Sequence, residues 1–333
     1  MAQQMALDDR VLKCMGVGKC FKEGHMRINS MDFCRTEDLL VTGSDDDSIR
    51  VYNVARGVPV DTLHSRKYGV QNVCFTHHSD CIIYASRKAA GPQVKPTEAH
   101  ALRYHSLHSN QYLRYFMGHT AQVNSLCFSP KNDTFVSAAQ DKTARLWDVR
   151  TNICQGCLQV PGNPTASIDQ QGLVFAVAAE SGVIKLYDLR SYDKGPFDTF
   201  TVEEEKGSPA GFADIRFSNN GNLLMAVAEG RIYLLDAYKG TVYKRFANGI
   251  PEAGGAVEAA ITADNQYLLS GCDDRAIRVW HIESGREVAT WQGHSQVPGC
   301  LRMSGRRALV ASACTALVLW IPNLKILEGL PPA

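Results

Sequence analysis

His119, Ser137, Asp141 and Trp147 lie within one short stretch and include the three residue types of an acyl-transfer triad. A hydroxyl attacks, an imidazole takes its proton, and a carboxylate orients the imidazole. Two features argue against hydrolysis. No Gly-x-Ser-x-Gly elbow is present to hold a nucleophile on a strained turn. The set also recurs in part as Thr42, Asp46 and Tyr52, and again as Ser270, Asp274 and Trp280. A catalytic site has no reason to be copied along a chain. Other tempting groups are weaker. Cys154 and Cys157 have metal-ligand spacing, but two further ligands are missing nearby. Asp45, Asp46 and Asp47 lack the alternation of a calcium loop. Gly16-Val17-Gly18-Lys19 lacks the third glycine and following helix of a phosphate loop. His77-His78 falls where a strand ends and a turn begins. The expectation is no catalytic residue, no metal and no cofactor.

The elements that must position these residues form a repeat. One unit runs Gly118-His119, then Val123 to Pro130, Phe135 to Ser137, and Asp141 to Asp148. Apolar residues alternate within each run and turn residues separate the runs, which is the signature of strands. The unit closes on an aromatic-polar step. That step appears at Tyr52-Asn53, Tyr104-His105, Trp147-Asp148, Tyr187-Asp188, Trp280-His281 and Trp320-Ile321, and without its aromatic at Leu235-Asp236. The spacings of roughly 40–50 residues match the period of one four-stranded blade. Seven steps predict an all-β, seven-bladed propeller that resembles the WD-repeat family over nearly the whole chain. In that family the His119, Ser137, Asp141 and Trp147 set is a structural tetrad, a hydrogen-bond chain from indole through hydroxyl and imidazole to carboxylate.

The propeller is expected over residues 11–322, with tails at 1–10 and 323–333. A spare strand-like segment, Val11 to Phe21, is expected to pair with the last blade and close the ring. The sixth unit has lost its Gly-His, and extra residues from Lys88 to His100 read as an exposed loop in the second.

Bulk composition narrows the function. Lys and Arg number 35 against 34 Asp and Glu, a net charge of +1. That balance excludes a polybasic grip as the main activity, so no sequence-specific nucleic-acid binding is expected. The N-terminal residues lack the basic flank and apolar run of a signal peptide. The longest apolar run, Ala308 to Pro322, is too short for a bilayer. Eleven cysteines, scattered through apolar runs, fit free thiols in a reducing compartment.

Beyond the repeat, several stretches are similar to the WD-repeat protein eighty-two (Swd-two) family. They include Ser44 to Ile49, Lys67 to Val70, Ser106 to His108, Tyr112 to Phe116, Asn132 to Phe135 and Cys154 to Gly156. The most specific is Val183 to Phe197, ending Tyr-Asp-Lys-Gly-Pro-Phe. The resemblance implies a nuclear, non-catalytic adaptor, monomeric within a larger complex. Its implied partners are a SET-domain histone H3 methyltransferase subunit in a COMPASS-type complex, a PNUTS-like subunit with protein phosphatase one, and the phosphorylated tail of RNA polymerase II. Departures from the family pattern lie near Pro92 to Pro96, at Glu203 to Lys206, and in the Leu-Glu-Gly-Leu-Pro-Pro-Ala tail. Trp147-Asp148-Val149-Arg150 and Tyr187-Asp188-Leu189-Arg190 resemble a ligase-docking motif, so a substrate receptor of a cullin-type ubiquitin ligase is the alternative.

Binding chemistry in such a ring belongs to loops on a rigid scaffold. Arg66, Lys67, Tyr68, Arg87, Lys88, Arg231 and Arg275 are placed on the rim that carries the turn aspartates. If they converge, their donors suit a phosphorylated peptide; otherwise they are solvated surface charges. Tyr112, Tyr115 and Phe116 form either an aromatic partner patch or an outer strand alternating between core and surface.

Overall fold

The computed structural model describes residues 7–24, 26–88, 94–95, 98–179, 182–202, 211–228, 230–249 and 257–329. Strands arrange in seven four-stranded antiparallel sheets, each one blade. In the first blade the strands run Ile28–Phe33, Leu39–Ser44, Ser48–Asn53 and Val58–His64, from the axis outward. Because the strands alternate in direction, first-to-second and third-to-fourth turns share one face of the ring. Second-to-third turns and the connections between blades share the other.

Each seam between neighbouring blades is filled by its own apolar cluster. Trp147, Phe135 and Phe116 pack with Ile83 and Leu102 between blades two and three. Trp320 and Trp291 pack with Leu269 and Leu12 between six and seven. The middle strands are buried on both faces, which is why Leu40, Val41, Phe135, Val136, Leu268 and Leu269 run as continuous apolar pairs.

The ring closes as the sequence predicts. Met15–Phe21 pairs antiparallel with Leu317–Pro322 and completes the seventh sheet as its outer strand. The predicted strand is too long at its start, however. Asp9–Lys13 is a short helix, because the Asp8 side chain caps it by accepting from the Val11 N–H at 2.8 Å. Leu12 of this helix and Met15 at the start of the strand both enter the six–seven cluster. The Leu12 carbonyl accepts from the Trp291 indole at 2.9 Å, and Asp9 accepts from the Tyr267 hydroxyl at 2.9 Å. Gly18 sits at a bulge where an added Cβ would lie 2.6 Å from Ile321.

One closing step is corrected by a residue. In blades one, two, three, five and six a bulge falls just before the closing residue, at Tyr52, His105, Trp147, Leu235 and Trp280. The second blade therefore closes on His105, not Tyr104. The imidazole of His105 takes the indole's place and lies 4.8 Å from the Tyr112 ring. A short helix, Leu324–Glu328, follows the last strand. The extra second-blade residues fall partly outside the described residues, and the Glu203 to Lys206 stretch wholly so.

Candidate functional site

The triad look-alike is a built hydrogen-bond chain. The Trp147 indole donates to Ser137 Oγ at 2.8 Å, and Ser137 lies 2.7 Å from His119 Nε2. His119 Nδ1 meets Asp141 Oδ2 at 2.9 Å. Asp141 also accepts from the Thr120 and Thr143 N–H groups. Burial alone would raise the Asp141 carboxyl, but these bonds outweigh it and hold the group well below the usual range. Ser137 and Trp147 are wholly buried and His119 nearly so. Ser137 Oγ already accepts the indole proton and is wholly buried, so it lacks both the freedom and the access of a nucleophile. Gly118 precedes His119 because an added Cβ there would lie 3.2 Å from the Trp147 ring and closer still to Arg145.

The same chain recurs where the sequence reading did not place it. In the seventh blade the Trp320 indole donates to Ser312 Oγ at 2.7 Å, and Ser312 lies 2.5 Å from His294 Nε2. His294 Nδ1 meets Cys314 Sγ at 3.3 Å in place of a carboxylate. Burial pushes the Cys314 thiol up, but the His294 bond and the Ala316 backbone outweigh it, bringing it down to about 6. Gly293-His294 repeats Gly118-His119 and was the available signal. Conversely, the partial set in blade six does not form this chain. Ser270 Oγ donates to the Gly271 carbonyl. Asp274 pairs with Arg278 and Asp46 with Arg50, while the Tyr52 hydroxyl reaches Glu23 at 3.4 Å. Blade six has no histidine before its first strand to link hydroxyl to acid; in blade one Gly24-His25 stands at that place, and His25 lies outside the described residues.

Of the proposed rim, five residues gather over blades one and two. Lys88 pairs with Asp47 at 2.6 Å, Arg87 with Asp45 at 3.5 Å and Lys67 with Glu98 at 3.6 Å. Arg66 is exposed, its carbonyl accepting from Lys88. Tyr68 is buried, with the Arg103 guanidinium 3.4 Å above its ring and its hydroxyl donating to Glu98. It therefore supports the rim from beneath rather than offering a ring to a partner. Arg231 heads the third strand of blade five and Arg275 lies on a turn of blade six, away from the five over blades one and two, so the seven residues do not form one cluster. The three consecutive aspartates are each engaged, Asp45 also accepting from Asn29 and Asp46 from Ser48.

The aromatic patch divides. Phe116 is a core residue, 4.9 Å from Phe135 and 5.7 Å from Trp147. Tyr112 and Tyr115 are half-buried, and the Tyr112 hydroxyl accepts from Tyr84 at 3.2 Å. Leu113 and Arg114 point outward instead. In the family-specific run, the Tyr192 hydroxyl donates to the Gln155 carbonyl at 2.5 Å and its ring covers Gly156. That turn locks blade four onto blade three and leaves Phe197 exposed. Cys154 and Cys157 alternate between half-buried and exposed sides of one strand, which separates them as ligands. Among the described residues no cluster of His, Cys, Asp and Glu is placed to hold a metal. None of the described helices is long and apolar enough to cross a membrane.

The WD domain, G-beta repeat family matches residues 18–53, 110–148 and 254–281. WD repeat-containing protein 82 of Drosophila melanogaster is 39% identical over 329 residues, covering 98% of this chain and 100% of that one. The chain belongs to the WD-repeat protein 82/Swd2 family. The Arabidopsis thaliana protein ANTHESIS POMOTING FACTOR 1 is 44% identical, covering 98% of this chain and 96% of that one. Set1 complex component swd2 of Schizosaccharomyces pombe is 33% identical, covering 77% of this chain and 71% of that one. The most specific of the family-like stretches, Val183 to Phe197, lies on blade four inside the described propeller.

Proposed function

We propose that this chain is a non-catalytic scaffold subunit of a nuclear, chromatin-modifying complex of the Set1/COMPASS type. The observation that carries this reading is likeness over whole-propeller length to WD repeat-containing protein 82, together with likeness to a protein named as a Set1 complex component. The site chemistry supports it: the Ser-His-Asp set of blade three is spent on a buried indole, and the exposed surface includes loops on a rigid ring. A SET-domain methyltransferase subunit is the first partner expected. A PNUTS-like subunit with protein phosphatase one and the phosphorylated RNA polymerase II tail follow from the same family resemblance. The rim over blades one and two, where Arg66, Arg87 and Lys88 interleave with Asp45 and Asp47, is the surface proposed for a partner segment of mixed or phosphorylated character.

Affinity purification of the tagged protein from nuclear extract, with mass spectrometry of the eluate, tests this. A SET-domain methyltransferase, or protein phosphatase one with its targeting subunit, is the expected recovery. Recovery of a cullin with its propeller adaptor would overturn it and make Trp147-Asp148-Val149-Arg150 and Tyr187-Asp188-Leu189-Arg190 the operative signals. In the first motif Arg150 is largely exposed and paired with Asp148 at 2.6 Å.

A further inference from the structure

The two faces of the ring treat their cations differently. Over blades one and two, Lys67, Arg87 and Lys88 each have a carboxylate partner. The axial channel opens on the other face, among the turns joining first and second strands, into a cavity of about 510 Å³. Its described lining includes Arg35, Lys131, Arg216, Arg302 and Arg306, with Asp32 as the carboxylate.

That carboxylate offers little counter-charge. Asp32 accepts from the Phe75 N–H at 2.8 Å, and burial pushes its carboxyl up, toward the neutral form. Arg216 and Arg302 are anchored at the cavity floor by Glu258, and Arg216 also by Asp214 at 2.8 Å, both acids on the deeper channel wall. Arg306 leans 3.7 Å from Asp38, whose carboxylate is already bound by Arg307 at 2.8 and 2.7 Å. Arg35 and Lys131 are exposed at the mouth, and neither side chain has an ion pair among the described residues. Gln170 and Asn219 add amide donors to the same lining. A recessed, solvent-open site with guanidinium and ammonium groups concentrated around it focuses a positive potential that draws anions from solution. Its volume suits a small molecule rather than a protein surface.

We propose that this mouth binds a compact polyphosphorylated anion, of the oligophosphate or inositol polyphosphate class, between Arg35 and Lys131 and above Arg216 and Arg302. The site is independent of the chromatin reading and lies on the face opposite the proposed partner rim. Planar guanidiniums and a flexible ammonium pair with several phosphate oxygens at once. Neutral and monovalent ligands would gain too little to hold against salt.

Isothermal titration of the full chain with sodium tripolyphosphate at about 0.15 M salt tests the proposal. One saturable site is expected, weakened roughly tenfold or more in Arg35→Ala/Lys131→Ala, since each lost charge-assisted contact is worth about a factor of ten. Both residues are exposed, so the double variant should fold, and an unchanged melting temperature without ligand confirms that. Arg87→Ala/Lys88→Ala on the opposite rim should bind as the wild type does. Inositol hexakisphosphate distinguishes the two sources of the same chemistry: tighter binding than tripolyphosphate assigns the inositol class, weaker binding the linear class. Absence of saturable binding, or binding that survives loss of Arg35 and Lys131, overturns the site. A singly phosphorylated peptide that binds more tightly than either polyanion also overturns it.

Discussion

Ser137 serves two partners at once, accepting from the Trp147 indole and meeting His119 Nε2. Ser137→Ala strands both groups in the core. The expected loss is about 2–4 kcal/mol, because two buried polar groups lose partners within one network. Urea denaturation should show a lower midpoint at an unchanged slope. Ser312→Ala should cost a similar amount, since Ser312 holds Trp320 and His294 in the same way. Ser270→Ala should cost clearly less, because Ser270 donates only to its neighbour's carbonyl. Equal losses at all three positions would refute the tetrad as the source of stability. The acids of these turns also set a pH dependence. Burial would raise the Asp46 carboxyl, but Ser48 and Arg50 outweigh it and bring it down to about 2. A carboxyl depressed in the folded state contributes stability above its unfolded value, about 4, and loses it as pH falls toward about 2. Melting temperature should therefore fall over that window, and fall less in Asp46→Asn. A variant with the same slope between pH 4 and 2 would exclude Asp46 as a contributor. The third-blade tetrad was legible because all four residue types stand at their usual offsets. Its seventh-blade copy was not fully legible: Cys314 follows Ser312 by two positions, whereas Asp141 follows Ser137 by four, so the shorter turn replaces the acid with a thiol.

At the scale of elements, Met15–Phe21 protects the edge of Leu317–Pro322, and the helix before it plugs the six–seven seam. Deleting residues 1–21 would expose a row of unpaired backbone groups on an apolar strand and remove the acceptor of the Trp291 indole. Aggregation is the expected result, measured by size-exclusion chromatography and light scattering. A monomeric, soluble truncation that melts at the wild-type temperature would show that closure does not depend on this strand. Blade number and ring closure were legible because turn residues and alternating runs mark each strand. The start of the N-terminal segment was not. Val11, Leu12, Cys14 and Met15 satisfy helical and extended spacing alike, and only the Asp8 cap and the seam that receives Leu12 decide for helix. In the second blade, adjacent Tyr104 and His105 gave two candidates for one position, and the bulge before His105 settles it. The binding surfaces were least legible. Exposure and pairing depend on neighbours far apart in sequence, as with Phe116 against Phe135 or Lys88 against Asp47.

Across the whole molecule, the ring couples its blades through the axis as well as through the seams. Glu258 lies just before the first strand of blade six and accepts from Arg216 of blade five at 2.9 Å. It also accepts from Arg302 and from the Leu301 N–H of blade seven, the latter at 3.1 Å. Burial would raise its carboxyl, but Arg302 and Arg216 outweigh that and hold it down. Glu258→Gln keeps the shape and removes the charge, leaving Arg302 without its carboxylate while Arg216 keeps Asp214 at 2.8 Å. Because these side chains are about a quarter exposed to channel water, the cost should fall below that of a fully buried pair, at about 1–3 kcal/mol. The form of the loss matters more than its size. In an open array each repeat touches only its neighbours and a weak point can fray alone. In a closed ring a blade cannot leave without breaking both of its seams and the axial contacts. Differential scanning calorimetry of Glu258→Gln should therefore show one transition, moved down as a whole. Two resolved transitions would mean that blades five to seven melt separately, and that closure by the N-terminal strand does not make the seven blades a single cooperative unit.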